Sequence, residues 1–564
     1  MKIKKDIIFA IFIYFLIALA YTYPLILHFN KSIFALPGDP FGILFEQSRL
    51  AAENTNYFFP NQTLFLFYFR ILAKLWNEVI TYNLVIIFGF IFSAIPFYLI
   101  VKKISKNSWI AFLAGLIIMI CPYRIAQSLQ HLTLANIGFL GFFIYYLTSA
   151  KENHTFKNIF LTGLFLILTC LDSYIYGFFA GIILTIFAVI WILFYLFCKN
   201  KQRINRKSLI YTIITFVFVF LILGIFTMPF FKDMIASNKN QQTNSAKIRS
   251  KEELTTYSSY AGYYFLPSPD NPIFGRITSD YYDKKVASLG TNRTEQINYL
   301  GYTLIFLTIV YLISVIKNYR KLKSNKKFLF WLFFVIGLVG FYLSFSHPIY
   351  ILHICINPLP EKIFDLIPFF RVYSRFSLLA IITLVIFSSL GLAIILETIK
   401  KYCYKIMLFI LILIFISVEF LQLPSSHIQN VGAESMPKIY TMLQNNQSAY
   451  LIEYPFLPKE SPYGYEYLLW DRIHQIKLFN YNYRFLENGE ETRKDLRDLN
   501  DQNDVAKLKS LGINYIIIHK DKYRTENYFY LQPDYNNNKT PNMQSLSGLI
   551  LVGSDQNDDL YLIK

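Results

Sequence analysis

The sequence has 564 residues, of which 54% are hydrophobic, 18% aromatic and only 16% charged. A soluble protein cannot bury that much apolar surface, so the composition excludes a soluble class and predicts a polytopic α-helical membrane protein. The net charge of +18 comes from lysines and arginines in short loops between apolar runs, which indicates a lipid bilayer rather than a nucleic acid as the partner.

Apolar segments predict about eleven transmembrane helices. They lie at 7–29, 79–101, 108–125, 132–149, 157–172, 174–198, 208–231, 297–316, 328–346, 376–398 and 405–424. The basic residues occupy every second loop, and basic loops stay in the cytoplasm. We therefore predict a multi-pass protein of the cytoplasmic membrane, with a cytoplasmic N-terminus and an extracytoplasmic C-terminus.

This topology divides the chain into a transmembrane domain, 1–424, and an extracytoplasmic domain, 425–564. The transmembrane domain has three longer outer loops, at 30–78, 232–296 and 347–375. The C-terminal residues return to soluble character, with a helical pattern over 491–511. Strand-like runs lie at 449–453, 513–519, 549–552 and 560–563. Strands alternating with helices predict a small α/β domain.

Three acidic residues mark the first outer loop. Asp39 lies in a Gly-Asp-Pro turn, where it is either a catalytic acid or an ordinary turn aspartate. Glu46 and Glu53 are seven residues apart and share one face of a predicted helix. That pattern favours a solvated amphipathic helix on the membrane surface, although Glu46 is also a secondary candidate for the site. The apolar face predicted to contact lipid comprises Phe41, Leu44, Phe45 and Leu50.

A polar strip follows the third predicted span. Arg124, Gln127 and His131 repeat at three and four residues and so lie on one helical face. Such a strip at a membrane boundary costs free energy unless it meets water or a ligand. It is either a site for an anionic lipid phosphate or a set of interfacial side chains that reach toward the headgroups.

Two arginines, Arg371 and Arg375, lie four residues apart directly before the tenth span. The topology places them outside, against the usual preference of basic residues for the cytoplasm. Basic residues retained there are the strongest phosphate-binding candidates in the chain.

Asp172 interrupts the fifth and sixth spans and is either a turn residue or a second carboxylate of the site. The aromatic segment 263–272 is either a lid that stacks on sugar rings or part of an interfacial belt. The cysteines show no metal-ligand spacing, and no phosphate-binding glycine-lysine loop is present. We therefore expect no metal and no cofactor.

Together these motifs resemble a broad group of prokaryotic membrane proteins described as YfhO-like or GT-C-type glycosyltransferase-like. The resemblance is carried by Gly38-Asp39-Pro40, Pro122-Tyr123-Arg124, Gln130-His131, Leu266-Pro267-Ser268-Pro269, Phe370-Arg371, Ser374-Arg375-Phe376 and Glu453-Tyr454-Pro455. It implies a GT-C-like fold, an acid near the membrane in the first outer loop and a polyprenyl-phosphate-linked sugar as donor. Relatives often carry an adjacent Asp-Glu pair in that loop, whereas here Pro40 follows Asp39.

The hypothesis that follows is a glycosyltransferase in which Asp39 is the catalytic base. Arg371 or Arg375 would hold the donor phosphate, with Arg124 or His131 assisting. The acceptor would be a glycan, a lipid or a protein. Two other functions stay open: a lipid or polysaccharide flippase or transporter, and a non-catalytic scaffold for envelope assembly.

Overall fold

The computed structural model shows a mainly helical protein with a small mixed sheet. It describes residues 2–53, 63–197, 210–211, 214–215, 217, 251–289, 291–345, 349–351, 354–356, 359–366, 370–422, 427–443, 449–457, 464–482, 489–499, 502–524, 541, 543 and 546–564. The longer helices are Lys2–Tyr21, Asp39–Glu53, Thr63–Leu75, Glu78–Ser105, Ser108–Ile120, Pro122–Gln130, Gly138–Glu152, Phe156–Asp172, Tyr174–Phe197, Gly275–Leu289, Tyr302–Asn318, Ser324–Leu343, Leu359–Leu366, Ser377–Thr398, Tyr402–Glu419, Gly464–His474 and Gln502–Ser510. The shorter helices are Lys251–Thr256, Arg293–Gln296, Phe479–Asn482 and Gly489–Asp495.

Within the described residues, seven helices are long and apolar enough to cross a membrane, or up to eight when one bent pair is included. The chain is thus a multi-pass membrane protein. Helices also occupy the first and fifth predicted spans, as Lys2–Tyr21 and Phe156–Asp172. The seventh predicted span, 208–231, lies almost wholly outside the described residues. The total of about eleven therefore stays a prediction.

Two predicted spans are shorter than their apolar runs because of proline. The first helix ends at Tyr21 rather than at residue 29, since Pro24 disfavours a helical conformation in the residue before it. The third span is interrupted at Cys121, whose backbone is extended (φ −60°, ψ 142°) directly before Pro122. The helices Ser108–Ile120 and Pro122–Gln130 consequently meet at 40°.

The chain divides into two compact units. The first comprises Met1–Tyr23, Phe58–Tyr68 and Leu84–Ser426, and the second comprises Pro24–Tyr57, Phe69–Asn83 and His427–Lys564. This division assigns most of the first outer loop to the same unit as the C-terminal residues, which differs from the boundary at 424 predicted from the sequence.

In the first unit, close helix packing depends on glycine. The helices Tyr302–Asn318 and Ser377–Thr398 pack along their length. A side chain at Gly391 would place its Cβ only 2.0 Å from the carbonyl oxygen of Leu307. Gly391 therefore allows the two backbones to approach, as small residues do in membrane helix pairs.

The second unit is built on a five-stranded sheet with the strands in the order Lys477–Leu478, Tyr450–Tyr454, Tyr515–His519, Asp558–Ile563 and Leu549–Ser554. The first three strands are parallel, with Leu451 opposite Tyr515. The last two are added antiparallel, with Ile517 opposite Leu560. Four of these strands coincide within a few residues with those predicted, whereas Lys477–Leu478 was not predicted. The central strands Tyr450–Tyr454 and Tyr515–His519 are buried in the core of the unit, whereas the edge strand Leu549–Ser554 is largely exposed.

The second unit also contains the helix Asp39–Glu53, which packs against Gly464–His474. Phe41, Leu44 and Phe45 are almost fully buried, and Phe45 belongs to the hydrophobic core of the second unit. The prediction that this apolar face contacts lipid was therefore wrong for these three residues. Leu50 belongs to the same predicted face, but its side chain lies outside the described part of the structure. The amphipathic pattern reports burial against protein, which sequence alone does not distinguish from burial in a membrane.

Candidate functional site

A buried carboxylate, Glu295, organises the polar residues of the first unit. The Arg375 guanidinium donates to both of its oxygens, from Nε to Oε2 (3.1 Å) and from Nη2 to Oε1 (2.5 Å). His131 Nε2 lies 3.0 Å from Oε1, and the Gln127 amide donates to Oε2 over 3.1 Å. The structure thus joins two of the predicted phosphate-binding residues, His131 and Arg375, through an acid that the sequence did not single out.

Short local elements fix these side chains. Asn292 caps the helix Arg293–Gln296, because its side chain accepts the backbone N–H of Glu295. Gln127 lies within the helix Pro122–Gln130, and His131 is its C-terminal cap, not a residue of the helix itself. Arg375 lies in the single 3₁₀ turn Tyr373–Phe376.

Burial and charge oppose each other at Glu295. Burial raises the pKa of the Glu295 carboxyl, but the Arg375 charge and the hydrogen bonds from His131 and Arg375 lower it by more, so the pKa lies below its usual range. Glu295 is therefore ionised at neutral pH. A buried carboxylate without these partners would be strongly destabilising.

Arg124 lies in the same unit and is fully buried. Its Nη1 donates to the carbonyl of Met119 (3.3 Å), and its guanidinium lies 3.8 Å from the centre of the Phe90 ring. No hydrogen-bond partner for its Nε and Nη2 lies among the described residues. Arg124 is thus held by a cation–π contact and one carbonyl rather than by a carboxylate.

Arg371 is half-buried, and its guanidinium lies 5.0 Å from the centre of the Tyr257 ring. The preceding residue, Phe370, packs against Phe178, with ring centres 5.2 Å apart. Arg371 therefore belongs to an aromatic segment that continues onto the helix Tyr174–Phe197.

Beside that segment lies an apolar groove of about 500 Å³. It is lined by Gly177, Phe178, Gly181, Ile182, Thr185, Ile186, Val339, Leu343 and Ile363. Among the described residues, apart from its own helix, no atom lies within 4 Å of the position that a Cβ of Gly181 would take, so the groove is open there. The lining has the character of a site for an apolar chain.

Asp172 ends the helix Phe156–Asp172 and is buried. Tyr68 donates to its Oδ1 (3.3 Å) and Asn136 to its Oδ2 (3.4 Å). It thus forms its own polar group with a tyrosine and an asparagine, and these contacts do not include the Glu295 cluster.

Asp39 and Glu46 belong to the second unit, whereas the arginines belong to the first. Asp39 is the exposed first residue of the helix Asp39–Glu53, directly after Gly38 with its positive φ of 133°. Tyr82, in the same unit, has a buried hydroxyl with no hydrogen-bond partner among the described residues. Glu46 lies half-buried two turns further along the same helix.

The aromatic segment of the second outer loop is mostly internal. Tyr263 and Tyr264 are fully buried, and the Tyr264 hydroxyl lies 2.6 Å from that of Ser344. Phe265, by contrast, is half-exposed. The two buried tyrosines are therefore core residues rather than surfaces for stacking on a sugar.

Sequence reasoning missed Glu295 because it sought candidates one by one. A signal was present: Glu295 lies on the predicted outer side, two residues before an apolar span. Two arginines predicted on that side at a membrane boundary need an opposite charge when they are buried. Searching the outer loops for a matching acid would have found it.

Comparison with known proteins adds a family and a fold. A family model described as a domain of unknown function (DUF6311) matches residues 62–418. No curated protein matches the sequence. The apo crystal structure of the Archaeoglobus fulgidus oligosaccharyltransferase is similar, at 11% identity with a TM-score of 0.52, over 93% of this chain and 70% of that chain. Archaeal oligosaccharyltransferase AglB from Archaeoglobus fulgidus, in complex with an inhibitory peptide and a dolichol-phosphate, matches at 12% identity with a TM-score of 0.45, over the same 93% and 70%.

The first similarity shows a shared fold. The expectation of a GT-C-like membrane protein is therefore supported at the level of the fold. The YfhO-like part of the resemblance, the inside-outside topology and the roles of the site residues stay predictions.

Proposed function

This chain belongs to the family of the domain of unknown function DUF6311, and we propose that it is an integral membrane glycosyltransferase. It moves a sugar from a polyprenyl-phosphate-linked donor to an acceptor on the outer face of the cytoplasmic membrane. The observation that carries this proposal is an apolar groove beside the Phe370-Arg371 segment, in a fold shared with an oligosaccharyltransferase. Proteins of one fold catalyse different reactions, so the assignment of glycosyl transfer depends on the residues of the site.

The groove suits the polyprenyl chain of such a donor, and Arg371 suits its phosphate. A polyprenyl chain is wholly apolar, like the groove lining, whereas the phosphate at its end is anionic. The groove residue Phe178 packs against Phe370, the neighbour of Arg371. An arginine guanidinium binds phosphate with two parallel hydrogen bonds, which suits it to hold the donor and then the departing lipid phosphate.

Two of the other predicted phosphate ligands, Arg375 and His131, contact Glu295. A phosphate contact therefore requires each of them to leave that carboxylate. We assign the first contact with phosphate to Arg371 because its neighbour Phe370 packs against Phe178, which lines the groove. Arg375 is assigned the positioning of the 371–376 segment.

The reaction assigns Asp39 the role of base. Its carboxylate takes the proton from an acceptor hydroxyl, and that oxygen forms a bond to the anomeric carbon of the sugar. The bond between the anomeric carbon and the phosphate oxygen breaks, and the lipid phosphate leaves with the electron pair. Asp39 is exposed at the start of a helix, which makes it accessible to an acceptor.

Donor binding is tested with farnesyl-phosphate glucose, mannose and arabinose added to the purified protein in nanodiscs. Gly181→Leu should fill the groove and weaken donor binding at least about tenfold, because the prenyl chain of the donor loses its apolar contact with the groove. Arg371→Gln should weaken binding by a similar factor through loss of a charged hydrogen bond. The matched controls are Gly181→Ala and Arg276→Gln, the latter an exposed arginine on the helix Gly275–Leu289.

Binding that both Gly181→Leu and Arg371→Gln leave at the wild-type level contradicts the assigned donor site. Binding without turnover, with the labelled lipid moving between leaflets of a vesicle, would instead identify a flippase. Absence of both binding and turnover across all three donors would favour the scaffold.

A further inference from the structure

A polar cavity of about 420 Å³ lies wholly within the C-terminal part of the second unit. It is bounded by the turn between the last two strands, the helix Gly464–His474 and the 3₁₀ segment Lys438–Leu443. Its lining includes Tyr440, Trp470, His519 and Lys522. The volume falls within the range of about 300–1,000 Å³ typical of ligand pockets. None of the residues assigned to glycosyl transfer lines it.

The base of the cavity is a rigid charged network. His519 is buried, with Nδ1 2.6 Å from Asp558 Oδ1 and Nε2 2.8 Å from Glu453 Oε2. The Tyr440 hydroxyl donates to the same Glu453 oxygen (2.7 Å), and the Tyr467 ring stacks on His519. These contacts fix the orientation of the polar groups that face the cavity. A ligand therefore binds with little loss of side-chain conformational entropy.

The rim is held by the turn that follows the strand Leu549–Ser554. Asp555 Oδ1 accepts the backbone N–H groups of Asn557 (2.9 Å) and Asp558 (2.7 Å). The backbone N–H of Lys520 in turn donates to the Asn557 carbonyl (2.7 Å). The Asn557 side chain therefore projects from a fixed backbone, as a specificity-determining polar group requires.

The balance of charge identifies the ligand class further. Lys522 is paired with Glu466 (2.8 Å), and His519 is paired with Asp558. The lining carries four carboxyl groups, those of Glu466, Asp521, Asp555 and Asp558, against the two basic side chains of His519 and Lys522, so acidic residues are in excess. Within the described residues, no group of three or more His, Cys, Asp or Glu is placed to hold a metal ion. Carboxylate oxygens in the lining can accept hydrogen bonds from the hydroxyl groups of a ligand.

We propose that this cavity binds a neutral or amino-sugar unit of a glycan. A sugar presents an apolar C–H face and a rim of hydroxyl groups, which complement the Trp470 ring and the surrounding carboxylates and amide. Hydroxyl and ammonium groups donate to carboxylates, whereas the carboxylate of a uronic acid would be repelled by Asp521 and Asp555. In a glycosyltransferase such a cavity selects the acceptor glycan. Sugar binding is measurable without turnover, so its failure is distinguishable from failure of the transferase proposal.

The test titrates the full-length protein in nanodiscs with cellobiose, the dimer of glucosamine and digalacturonate, by saturation-transfer NMR and calorimetry. Cellobiose or the glucosamine dimer should bind at least about tenfold more tightly than digalacturonate. Trp470→Ala should weaken that binding about tenfold through loss of the aromatic face. Asn557→Ala should weaken it about fivefold through loss of one hydrogen bond. Asp495→Ala, an exposed substitution on the helix Gly489–Asp495, is the control and should bind as the wild type does.

Trp470 also packs on the core, so Trp470→Ala is interpreted only where its thermal unfolding matches that of the wild type. Where it does not match, Asn557→Ala decides, because that side chain is exposed and its removal leaves the backbone turn intact. Absence of binding by all three disaccharides at millimolar concentration overturns the proposal. Wild-type affinity in Asn557→Ala, or tightest binding of digalacturonate, overturns it equally.

Discussion

The guanidinium of Arg375 contacts both oxygens of Glu295, a residue 80 positions earlier in the sequence. The contact is buried and joins the short helix Arg293–Gln296 to the turn Tyr373–Phe376. Gln127 and His131 complete the coordination of the carboxylate. Glu295 therefore joins three segments that are far apart in the sequence: the end of the helix Pro122–Gln130, the helix Arg293–Gln296 and the turn Tyr373–Phe376.

Replacing Glu295 by Gln should destabilise the protein by about 3–5 kcal/mol, because it leaves the buried Arg375 without its counter-charge. The free energy of unfolding in mild detergent measures the effect. Asp283→Asn removes an exposed ion pair with Arg293 in the same region and should cost at most about 1 kcal/mol. Equal decreases in the free energy of unfolding in the two variants would show that the buried Arg375–Glu295 pair stabilises the protein no more than an exposed ion pair does.

The buried His519 makes a prediction about pH. Burial lowers the pKa of His519, but its hydrogen bonds to Asp558 and Glu453 raise it by more, so the folded-state pKa lies above 6.5. The stability contributed by the charged ring is then fully present below about pH 6.5 and is lost as the pH rises through the folded-state pKa. The thermal unfolding midpoint measured between pH 6 and pH 9 should fall accordingly.

The control for this prediction is His519→Gln, which cannot titrate. It should lower the stability by about 3–5 kcal/mol, because two buried carboxylates lose their shared cation. It should also remove the fall in the unfolding midpoint above about pH 6.5. An identical pH profile in the wild type and the variant would assign the titration to another group.

Glycine packing between helices gives a third prediction. Gly391→Ala should destabilise the first unit by about 1–3 kcal/mol, since the new Cβ meets the Leu307 carbonyl and the backbones must separate. Gly181→Ala adds the same methyl group where no other part of the described structure lies within 4 Å, and should leave the stability unchanged. Thermal unfolding of the two variants side by side measures the difference. A tolerated Gly391→Ala would mean that the two helices are not held at that distance.

Features set by local sequence were predictable. Apolar runs located the membrane helices, because a run of that length has few alternatives to crossing a bilayer. Short runs of aromatic and aliphatic residues located the strands Tyr450–Tyr454 and Tyr515–His519. The helix breaks at Pro24 and Pro122 were predictable in principle, since a proline disfavours a helical conformation in the residue before it. The spans were drawn from hydropathy alone, which does not register this effect.

Features set by long-range contacts were not predictable. The helix predicted over 491–511 is two helices, because Leu496 and Leu499 turn into the core between them. The helix Asp39–Glu53, with its buried residues Phe41, Leu44 and Phe45, packs against the helix Gly464–His474, far along the chain. The pairing of Glu295 with Arg375 likewise depends on the folded chain and leaves only a charge balance in the sequence.

The measurement that tests the proposed function most directly is sugar transfer by the Asp39→Asn variant. The purified protein is reconstituted with farnesyl-phosphate sugars and envelope extract, and release of the lipid phosphate is followed. Loss of the base should lower the rate about a hundredfold to ten-thousandfold, with donor binding and thermal unfolding unchanged. Glu434→Gln, an exposed carboxylate of the same unit, serves as the matched control and should transfer normally. Transfer by Asp39→Asn at the wild-type rate would contradict the assignment of Asp39 as the base.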